Sequence, residues 1–388
     1  MNGLARIARP RASPRLHCTV LTTVDQLAAF APQWQALART DTTHCSLFAT
    51  YDYVLLAWRH LHSADDRLFV IVVSDGTAPV GVVPLAICPS RRWGMKVRVM
   101  RFIAQQEGDR PGIVSAGEPA SIWLAAFEAL LAHRAHWDLL QLAELDQDDW
   151  PVTNLGGFGR GIFGRVEADT SVASIDLRSA WADYLASRSR NTRKNYRRKL
   201  AQLDRRHPEW RIETATEPAA VERALNRYIA IEQQSWKASS PVGVAKDARH
   251  ASFYRDLLGL LATRGEARIS ILTSGSTDMA GSIQMIWRDT VLDRHIAHAR
   301  QYDADSVGSV LGAEVIRQHF GSGRTTLDLM GLAVGHPKRL QVEEWSTTTR
   351  ITRRVTLFNL RSRVAPIACA VAARRAIRGT PLAWSGTP

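Results

Sequence analysis

Residues 68–87 read LFVIVVSDGTAPVGVVPLAI, and this stretch predicts the element on which the fold is built. Its two parts, Leu68–Val73 and Val80–Ile87, are rich in β-branched residues, which favour strands. The Asp75-Gly76 pair between them is typical of a tight hairpin turn. The stretch therefore predicts an antiparallel β-hairpin.

Periodic segments on both sides of this hairpin predict a repeated order of elements. The predicted elements of the first half are helices over 24–39 and 50–62, the hairpin, a strand near 97–103, a helix over 119–134 and a strand at Trp137–Ala143. Those of the second half are helices over 217–236 and 248–263, strands over 267–273, 279–287 and 291–299, a helix over 307–320 and a strand at Thr325–Met330. The repeat predicts an α/β (α+β) fold of two tandem domains, each a mixed, mostly antiparallel sheet flanked by helices.

Positive charge is concentrated in three segments of the 388-residue chain, whose net charge is +13. Residues 187–207 carry nine Lys or Arg against one acid, and residues 345–388 carry eight Arg and no acid. Residues 1–15 add four Arg, so the rest of the chain sums to 13 − 8 − 8 − 4 = −7. Such basic segments favour a polyanion as partner, such as nucleic acid, anionic lipid or a phosphate-bearing substrate.

These segments and a glycine cluster at 156–161 suggest the division of the chain. The predicted parts are a basic N-terminal tail at 1–15, a first domain at 16–160, a linking strand and basic interdomain helix at 161–207, a second domain at 208–358, and an Arg-rich C-terminal tail at 359–388. The interdomain helix is predicted to run unbroken from near Ser179 to Arg206. Its cationic face, with Arg193 and Arg197, is interpreted either as a solvated surface or as a phosphate contact.

Several classes of protein are excluded by composition. A hydrophobic content of 45% and a charged content of 22% exclude a disordered chain. The four cysteines are far apart without a C-x-x-C pair, which argues against a zinc ribbon or disulfide scaffold, and no metal is predicted. Neither a secretory signal nor a transmembrane run is predicted, so we expect a cytoplasmic protein, with peripheral attachment to the inner membrane as a second possibility.

Three groups of residues are candidates for chemistry. In the second half His295, His298, Tyr302 and Asp303 end a strand, and Val307-Gly308-Ser309 opens a helix whose free N–H groups suit a pyrophosphate. Asp328 is predicted at a strand end, with His336 and Lys338 on the glycine-containing segment that follows. Asp328 and Lys338 could orient a nucleophile and neutralise developing charge, or they could form a structural Asp–Lys pair. Glu232, Trp236 and Lys237 end a helix, and Trp236 could equally belong to the core.

The order of these motifs resembles the CelD/BcsL-like acetyltransferases of the GNAT superfamily. The resemblance rests on Val80-Gly-Val-Val-Pro-Leu85, Ser189-Arg-Asn-Thr-Arg-Lys-Asn-Tyr-Arg-Arg198, Glu232 to Lys237, Tyr302-Asp303, Gly308-Ser309, Asp328 and His336 to Lys338. It covers roughly residues 16–358 and implies two GNAT-like domains, as in the similar Fem-type peptidyltransferases. Only one glycine, Gly308, stands where a full GNAT phosphate loop has two small residues.

The resemblance implies an acyl-CoA-dependent acyltransferase that moves an acetyl or longer acyl group onto an amine or hydroxyl, with an envelope saccharide or its precursor as the candidate acceptor. Val307, Gly308, Ser309, Arg193 and Arg197 would bind acetyl-CoA or another acyl-CoA. Asp328 would be the base or orienting group, Tyr302 or His298 the proton donor, and Lys338 the charge stabiliser. Glu232 would be a further catalytic residue along the cleft, and Trp236, Lys237 and His336 would bind the acceptor substrate.

Two alternatives remain open from the sequence. A Fem-like transferase would take its amino acid from aminoacyl-tRNA, with the basic interdomain helix holding the RNA; otherwise nucleic acid is not expected as a partner. A non-catalytic scaffold would use the Arg-rich C-terminal tail to bind an anionic membrane surface.

Overall fold

The computed structural model describes residues 16–41, 45–76, 78–155, 161–239, 242–337 and 339–370. The strands are β1 (Leu16–Leu21), β2 (Arg67–Asp75), β3 (Ala78–Arg92), β4 (Met95–Phe102), β5 (Val114–Ser115), β6 (Leu139–Leu145), β7 (Ile162–Asp176), β8 (Trp210–Ala215), β9 (Ala267–Ser274), β10 (Thr277–Trp287), β11 (Thr290–His298), β12 (Thr326–Ala333) and β13 (Thr348–Asn359). The α-helices are α1 (Val24–Thr40), α2 (Tyr51–Leu61), α3 (Pro119–Ala132), α4 (Trp150–Thr153), α5 (Trp181–Ser187), α6 (Arg190–Arg206), α7 (Pro218–Gln233), α8 (Ala248–Ala262), α9 (Val307–His319) and α10 (Arg339–Glu343).

The hairpin that residues 68–87 predict is confirmed as β2 and β3. The two strands pair antiparallel from Arg67 opposite Ile87 to Asp75 opposite Ala78. Gly76 at the turn has a φ of +71°, a left-handed conformation that glycine adopts without a steric penalty. The side chains of Val70 to Val73 and of Val82 to Ala86 are almost wholly buried, so the hairpin lies at the centre of the first half rather than at its edge.

The repeated order of elements is also confirmed, and the two halves share one sheet. Its strand order is β1-β2-β3-β4-β6-β13-β7-β12-β11-β10-β9-β8. The last strand of each half is exchanged: β7 pairs with β12 of the second half, and β13 pairs with β6 of the first. Because β7 and β13 also pair with each other over most of their length, the halves are joined by backbone hydrogen bonds at the centre of the sheet.

Each half contains one parallel strand pair that opens into a fork. In the second half β11 and β12 pair only from Thr290 to Leu292, after which β12 is paired with β7 and β11 continues beside β10 to His298. In the first half β4 and β6 pair only from Val99 to Arg101. A fork between parallel strands exposes backbone groups that a ligand can reach, which makes these the two places to look for a site.

Helices cover both faces of the sheet. On one face α1 and α2 of the first half and α7 and α8 of the second pack into a single apolar cluster that includes Trp34, Phe48, Phe253 and Tyr254. On the other face α3 covers the first half, and α9 with α6 covers the second through Val307, Leu311 and Leu203. Thr23 and Gln26 form a capping box at the start of α1.

Two sequence predictions were wrong in detail. The interdomain helix is broken into α5 and α6, because Arg188 is extended and the hydroxyl of Ser189 accepts a hydrogen bond from the N–H of Thr192 at the start of α6. Asp328 lies inside β12 rather than at its end, since that strand continues to Ala333.

Among the described residues, no helix is long and apolar enough to cross a membrane. The predicted N-terminal tail at 1–15 and the part of the C-terminal tail beyond residue 370 lie outside the described residues. The predicted domain boundaries remain a division suggested by sequence.

Candidate functional site

The fork between β11 and β12 presents a carboxylate at its mouth. Asp293 is the first residue of β11 beyond the parallel pairing, which ends at Leu292 opposite Asp328. Its Oδ1 accepts hydrogen bonds from the hydroxyl of Ser282 (3.2 Å) and the amide of Gln284 (3.4 Å), both on the neighbouring β10. Both bonds go to Oδ1 and hold the carboxyl group in place.

A hydrogen-bonded chain beside Asp293 links the two halves. Nε2 of His295 lies 2.6 Å from the hydroxyl of Tyr254, which donates to Oε2 of Glu107 at 2.9 Å. A carboxylate can only accept, so the single tyrosine proton points to Glu107 and the tyrosine oxygen accepts from Nε2–H of His295. This assigns the basic lone pair of the neutral imidazole to Nδ1.

The surroundings shift the pKa values of these groups in ways that suit proton transfer. Burial raises the pKa of Asp293 to about 6, against the hydrogen bonds from Gln284 and Ser282. Burial lowers the pKa of His295 well below its ordinary value, and Arg294, Lys237 and Lys246 act in the same direction. Both side chains are crowded by protein, and both residues keep partial access to solvent. At neutral pH the fork therefore holds a mostly ionised carboxylate beside an uncharged imidazole.

Glu107 comes from the first half and joins three elements of the second. Its carboxylate accepts from Nζ of Lys246 (2.6 Å), from Tyr254 and from the guanidinium of Arg294 (3.0 Å), and it is 6% exposed. Burial opposes its ionisation, but Arg294, Lys246 and Tyr254 outweigh burial and hold the pKa of Glu107 below its usual range. The first half thus contributes a carboxylate to the hydrogen-bonded chain beside Asp293.

The C-terminal end of α7 and the turn after it contain three residues that the sequence places along the cleft. These are Glu232 in the helix, and Trp236 and Lys237 just beyond it. The buried carboxylate of Glu232 accepts from the hydroxyl of Tyr228 (3.1 Å) and the N–H of Ala245 (2.9 Å), and Nζ of Lys237 lies 3.6 Å from it. Glu232 therefore anchors the segment leading into α8. Lys237 is close enough to Asp293 to lower its pKa, whereas Trp236 is 41% exposed.

The start of α9 lies on the opposite face of β11 and is open. Ser306, just before the helix, has a left-handed φ of +58°, and none of the described side chains caps the first turn. Gly308 lies against His298: a Cβ at this position would be 2.7 Å from Nδ1 of the histidine. Nε2 of His298 in turn lies 2.9 Å from Asp303, so this pair braces the segment that leads into α9.

The basic helix α6 lies along this open helix start. Nζ of Lys199 donates to the hydroxyl of Ser309 at 3.1 Å, and Gln202 donates to the carbonyl of Ala304 at 2.7 Å. Arg193 is engaged otherwise, donating to the backbone carbonyls of Ala186 and Arg188, while Arg197 is exposed. Lys199 is therefore the cation that the structure brings to the helix start, and the sequence prediction missed it.

The corresponding positions of the first half are closed. The carboxylate of Glu118 accepts from the N–H groups of Ala120 (3.2 Å) and Ser121 (2.9 Å), and Pro119 has no N–H. On β4 the first residue beyond the fork is Phe102, which is 0% exposed. The first half thus has a carboxylate at the helix start and a buried aromatic ring at the fork.

Asp328 lies at the other side of the fork and is engaged by the first half. Its Oδ2 accepts from the guanidinium of Arg110 at 2.6 Å, and its Oδ1 accepts from the N–H of Met330 at 2.8 Å. Burial raises the pKa of Asp328, while Arg110 lowers it in part. The N–H of Gly331 is bound by Asp109, so residues 109 and 110 together close this arm of the fork.

The other predicted site residues lie apart from Asp293. Tyr302 packs against the ring of His207 beside α6, on the α9 face. His336 lies in the turn after β12 and is partly buried, and Lys338 lies outside the described residues. Sequence reasoning overlooked Asp293, Tyr254 and Glu107. The signal for Asp293 was an isolated acid within a strand pattern, after Val291 and Leu292. No sequence signal pointed to Glu107, because its partners are far away in sequence.

The forked strands, the exchanged last strands and the helix order define a tandem GNAT-like fold. Residues 190–338 match the family described as "Acetyltransferase (GNAT) domain". None of the curated proteins matches the chain.

Solved structures share the fold at low sequence identity. FemX is 10% identical with a TM-score of 0.58, and the alignment covers 87% of this chain and 98% of FemX. A conserved protein of unknown function from Bacteroides thetaiotaomicron is 9% identical with a TM-score of 0.56, covering 88% and 100% of the two chains. L-PGS from Bacillus licheniformis is 12% identical with a TM-score of 0.51, covering 92% and 98%. At these identities the likeness concerns the fold alone.

Proposed function

We propose that the chain is an acyl-CoA-dependent acyltransferase that uses its second half to transfer an acetyl or longer acyl group to an amine or hydroxyl. The observation that supports it best is the open start of α9, next to a fork that carries Asp293 at its mouth. We also propose the narrower relationship to the CelD/BcsL-like acetyltransferases, with an envelope saccharide or its precursor as acceptor.

The donor would bind at the α9 face. Free N–H groups at a helix start favour a pyrophosphate, and the helix dipole adds to the attraction. Lys199 beside Ser309 supplies a full positive charge, and the other basic residues of α6 extend the positive surface. Val307, Gly308 and Ser309 keep the donor-binding role that the sequence suggests.

The transfer itself would take place at the fork. The acceptor nitrogen or oxygen attacks the thioester carbonyl, so that a C–N or C–O bond forms, the C–S bond breaks, and coenzyme A leaves as the thiolate. The acceptor's proton goes to a base, and the thiolate takes a proton from an acid or from water. Geometry favours Asp293 as the base over Asp328, because Arg110 and Met330 already engage both oxygens of Asp328. His298 or Tyr302 on the α9 face would serve as the acid.

The first experiment combines binding with chemistry. The full chain is titrated with acetyl-CoA, longer acyl-CoAs and free CoA, with melting temperature and released thiol as readouts. We expect an upward shift with CoA and thiol release when a suitable amine or hydroxyl is added. If no acyl-CoA shifts the melting temperature or releases thiol, the proposal is wrong.

A second candidate is a Fem-like transferase that uses aminoacyl-tRNA. The feature that favours it is the cationic surface of α6, which lies beside the start of α9 and would suit RNA as well as a pyrophosphate. Binding of tRNA that falls steeply with added salt, without any effect of CoA, would support this alternative.

A third candidate is a non-catalytic scaffold on an anionic membrane. Its anchor would be the Arg-rich C-terminal tail, of which the structure describes only the part up to residue 370. Flotation of anionic liposomes with the full chain, but not with a chain ending at residue 358, together with no thiol release, would favour this reading.

A further inference from the structure

A cluster of polar side chains lies in the first half of the chain, away from the fork between β11 and β12 in the second half. Its members are His62 at the end of α2, Asp66 in the turn before β2, and Cys88 on β3. One atom from each, Nδ1, a carboxylate oxygen and Sγ, lie within 4.8 Å of one another, and all three side chains are largely enclosed. Neither the proposed donor site nor the proposed acceptor site uses them.

The distances within the cluster approach those of a metal site. Nδ1 of His62 lies 2.7 Å from Oδ2 of Asp66 and 3.8 Å from Sγ of Cys88. Bonds of about 2.0–2.3 Å to a tetrahedral zinc ion place ligand atoms roughly 3.3–3.8 Å apart. Nδ1 and Sγ therefore already stand a suitable distance apart. The carboxylate oxygen has to move away from Nδ1 by roughly 0.6 Å or more when a metal ion replaces the proton between it and the imidazole.

Neighbouring groups orient each of the three ligands. Nε2 of His62 lies 3.0 Å from the carbonyl of Ile103, which accepts its proton and leaves Nδ1 to face the cluster. Ser63 donates to both oxygens of Asp66, from its N–H at 3.2 Å and its hydroxyl at 3.1 Å. Nε of Arg101 donates to Sγ of Cys88 at 3.3 Å. Outer hydrogen bonds of this kind hold metal ligands in place.

We propose that His62, Asp66 and Cys88 bind a zinc ion. A thiolate, an imidazole and a carboxylate together suit this borderline-soft cation better than Mg²⁺ or Ca²⁺, which prefer oxygen ligands alone. The fourth position falls to a water molecule or to the second oxygen of Asp66. On binding, the metal displaces the protons held by Nδ1 and by the thiol, since both atoms coordinate in their deprotonated forms.

The role of this site is structural. His62 contacts the carbonyl of Ile103, and Arg101 lies two residues before Ile103. Ile103 begins the segment that contains Glu107 and Arg110, whose side chains contact the second half. The carbonyl of His62 also accepts from Arg249 of α8. A metal ion here holds residues 103–110 in the position from which Glu107 and Arg110 contact the second half. It takes no part in acyl transfer.

The test uses the full chain, free of affinity tags that bind metal, and adds Zn²⁺ or Co²⁺ alone. We expect one ion per chain by elemental analysis, a sulfur-to-cobalt charge-transfer band in the near ultraviolet, and a higher melting temperature with Zn²⁺ than after chelation. Cys88→Ser should abolish the charge-transfer band. Cys45→Ser is the matched control, because Cys45 is equally buried but its sulfur contacts the carbonyl of Ser46 instead of a histidine and a carboxylate.

A milder variant guards against loss of folding. Ser63→Ala removes one outer hydrogen bond to Asp66 and should weaken Zn²⁺ binding by about 10-fold to 100-fold while the band persists. The proposal is overturned if the wild-type chain binds neither ion at one equivalent. It is also overturned if the folded Cys88→Ser chain keeps the same cobalt spectrum. Both results are independent of acyl-CoA binding, so they leave the proposed function to its own test.

Discussion

The starts of α3 and α9 occupy corresponding places in the two halves and differ in one decisive respect. At α3 the first N–H groups are taken by Glu118, and Pro119 contributes none. At α9 Lys199 stands beside the first turn instead. A carboxylate at the first helix start repels a phosphate, whereas an ammonium at the second attracts one. We infer that the start of α9 suits a phosphorylated donor better than the start of α3 does.

The fork between β4 and β6 in the first half also differs from the fork between β11 and β12 in the second half. Beyond the parallel pairing the first half continues with the buried Phe102, and the second half with Asp293. Two residues of the first half, Glu107 and Arg110, instead contact the second half. Glu107 accepts hydrogen bonds from Lys246 and Arg294, and Arg110 donates to Asp328. The first half thus places Glu107 and Arg110 against charged residues of the second half.

The largest expected effect comes from the residue that distinguishes the forks. Asp293→Asn keeps the size and the hydrogen bonds of the side chain but removes the base, so kcat should fall by about 10²-fold to 10⁴-fold. Steady-state thiol release with saturating acyl-CoA measures it. Asp256→Asn, at an exposed acid paired with His60, is the control and should leave kcat unchanged. Equal rates for wild type and Asp293→Asn would assign the base to another group, with Asp328→Asn as the next variant.

The pH dependence identifies the base further. A carboxyl group with a pKa of about 6 accepts a proton only when ionised, so kcat should rise as pH increases through about 6. His295, whose pKa is lowered well below its ordinary value, stays neutral over this range and adds no second rise. In Asp293→Asn the rise near pH 6 should disappear from the residual rate.

The same substitution should also stabilise the fold. The pKa of Asp293 is raised in the folded state, so the cost of ionising it there grows as pH rises from 3.8 to about 6 and stays constant above. Asn carries no such cost. We expect the free energy of unfolding at pH 7.5 to increase by about 1–3 kcal/mol in Asp293→Asn. Urea unfolding of both chains at pH 4 and pH 7.5 checks it: the gain should be small at the lower pH.

The fold was predictable from sequence to a greater degree than the site. Hairpin turns, strand composition and the repeated order of elements all depend on neighbouring residues, and these predictions were confirmed. The exchange of β7 and β13 was not predicted, because nothing local in a strand specifies which of two similar sheets it joins. Glu107, Lys199 and Tyr254 were missed for the same reason: their importance arises from partners more than 100 residues away.

The next effect in size concerns the donor end. Ser309→Asp places a carboxylate in the first turn of α9, as Glu118 does for α3. Repulsion of the donor's phosphates and competition for Lys199 should raise the KM for acyl-CoA by about 10-fold, equivalent to about 1.4 kcal/mol. The helix itself should become more stable by a few tenths of a kcal/mol, because an acid near the start favours the dipole. Weaker donor binding in a more stable protein would distinguish a binding effect from damage to the fold.

Removing the cation gives a smaller change. Lys199→Ala should weaken CoA binding by about 3-fold to 10-fold, since a partly exposed charge contributes about 1 kcal/mol at low salt. The loss should shrink as salt is added, because screening weakens the interaction in the wild type first. Calorimetric titration with CoA at two salt concentrations measures it. Arg211→Ala is the control, at a basic residue paired with Glu213 on β8, and should not change CoA affinity. An equal loss in both variants would mean that only the overall charge matters.

The smallest effect belongs to the closed helix start. Glu118→Ala removes the carboxylate that caps α3, which should lower the free energy of unfolding by about 1 kcal/mol. Glu118→Gln is the matched variant: it keeps an acceptor oxygen without the charge and should lose less. Donor affinity should be the same in all three chains, because Phe102 still fills the fork of the first half. Calorimetric titration with CoA decides it. A second equivalent of bound CoA in Glu118→Ala would show that this carboxylate alone keeps the first half closed, and that the two copies differ by less than their forks suggest.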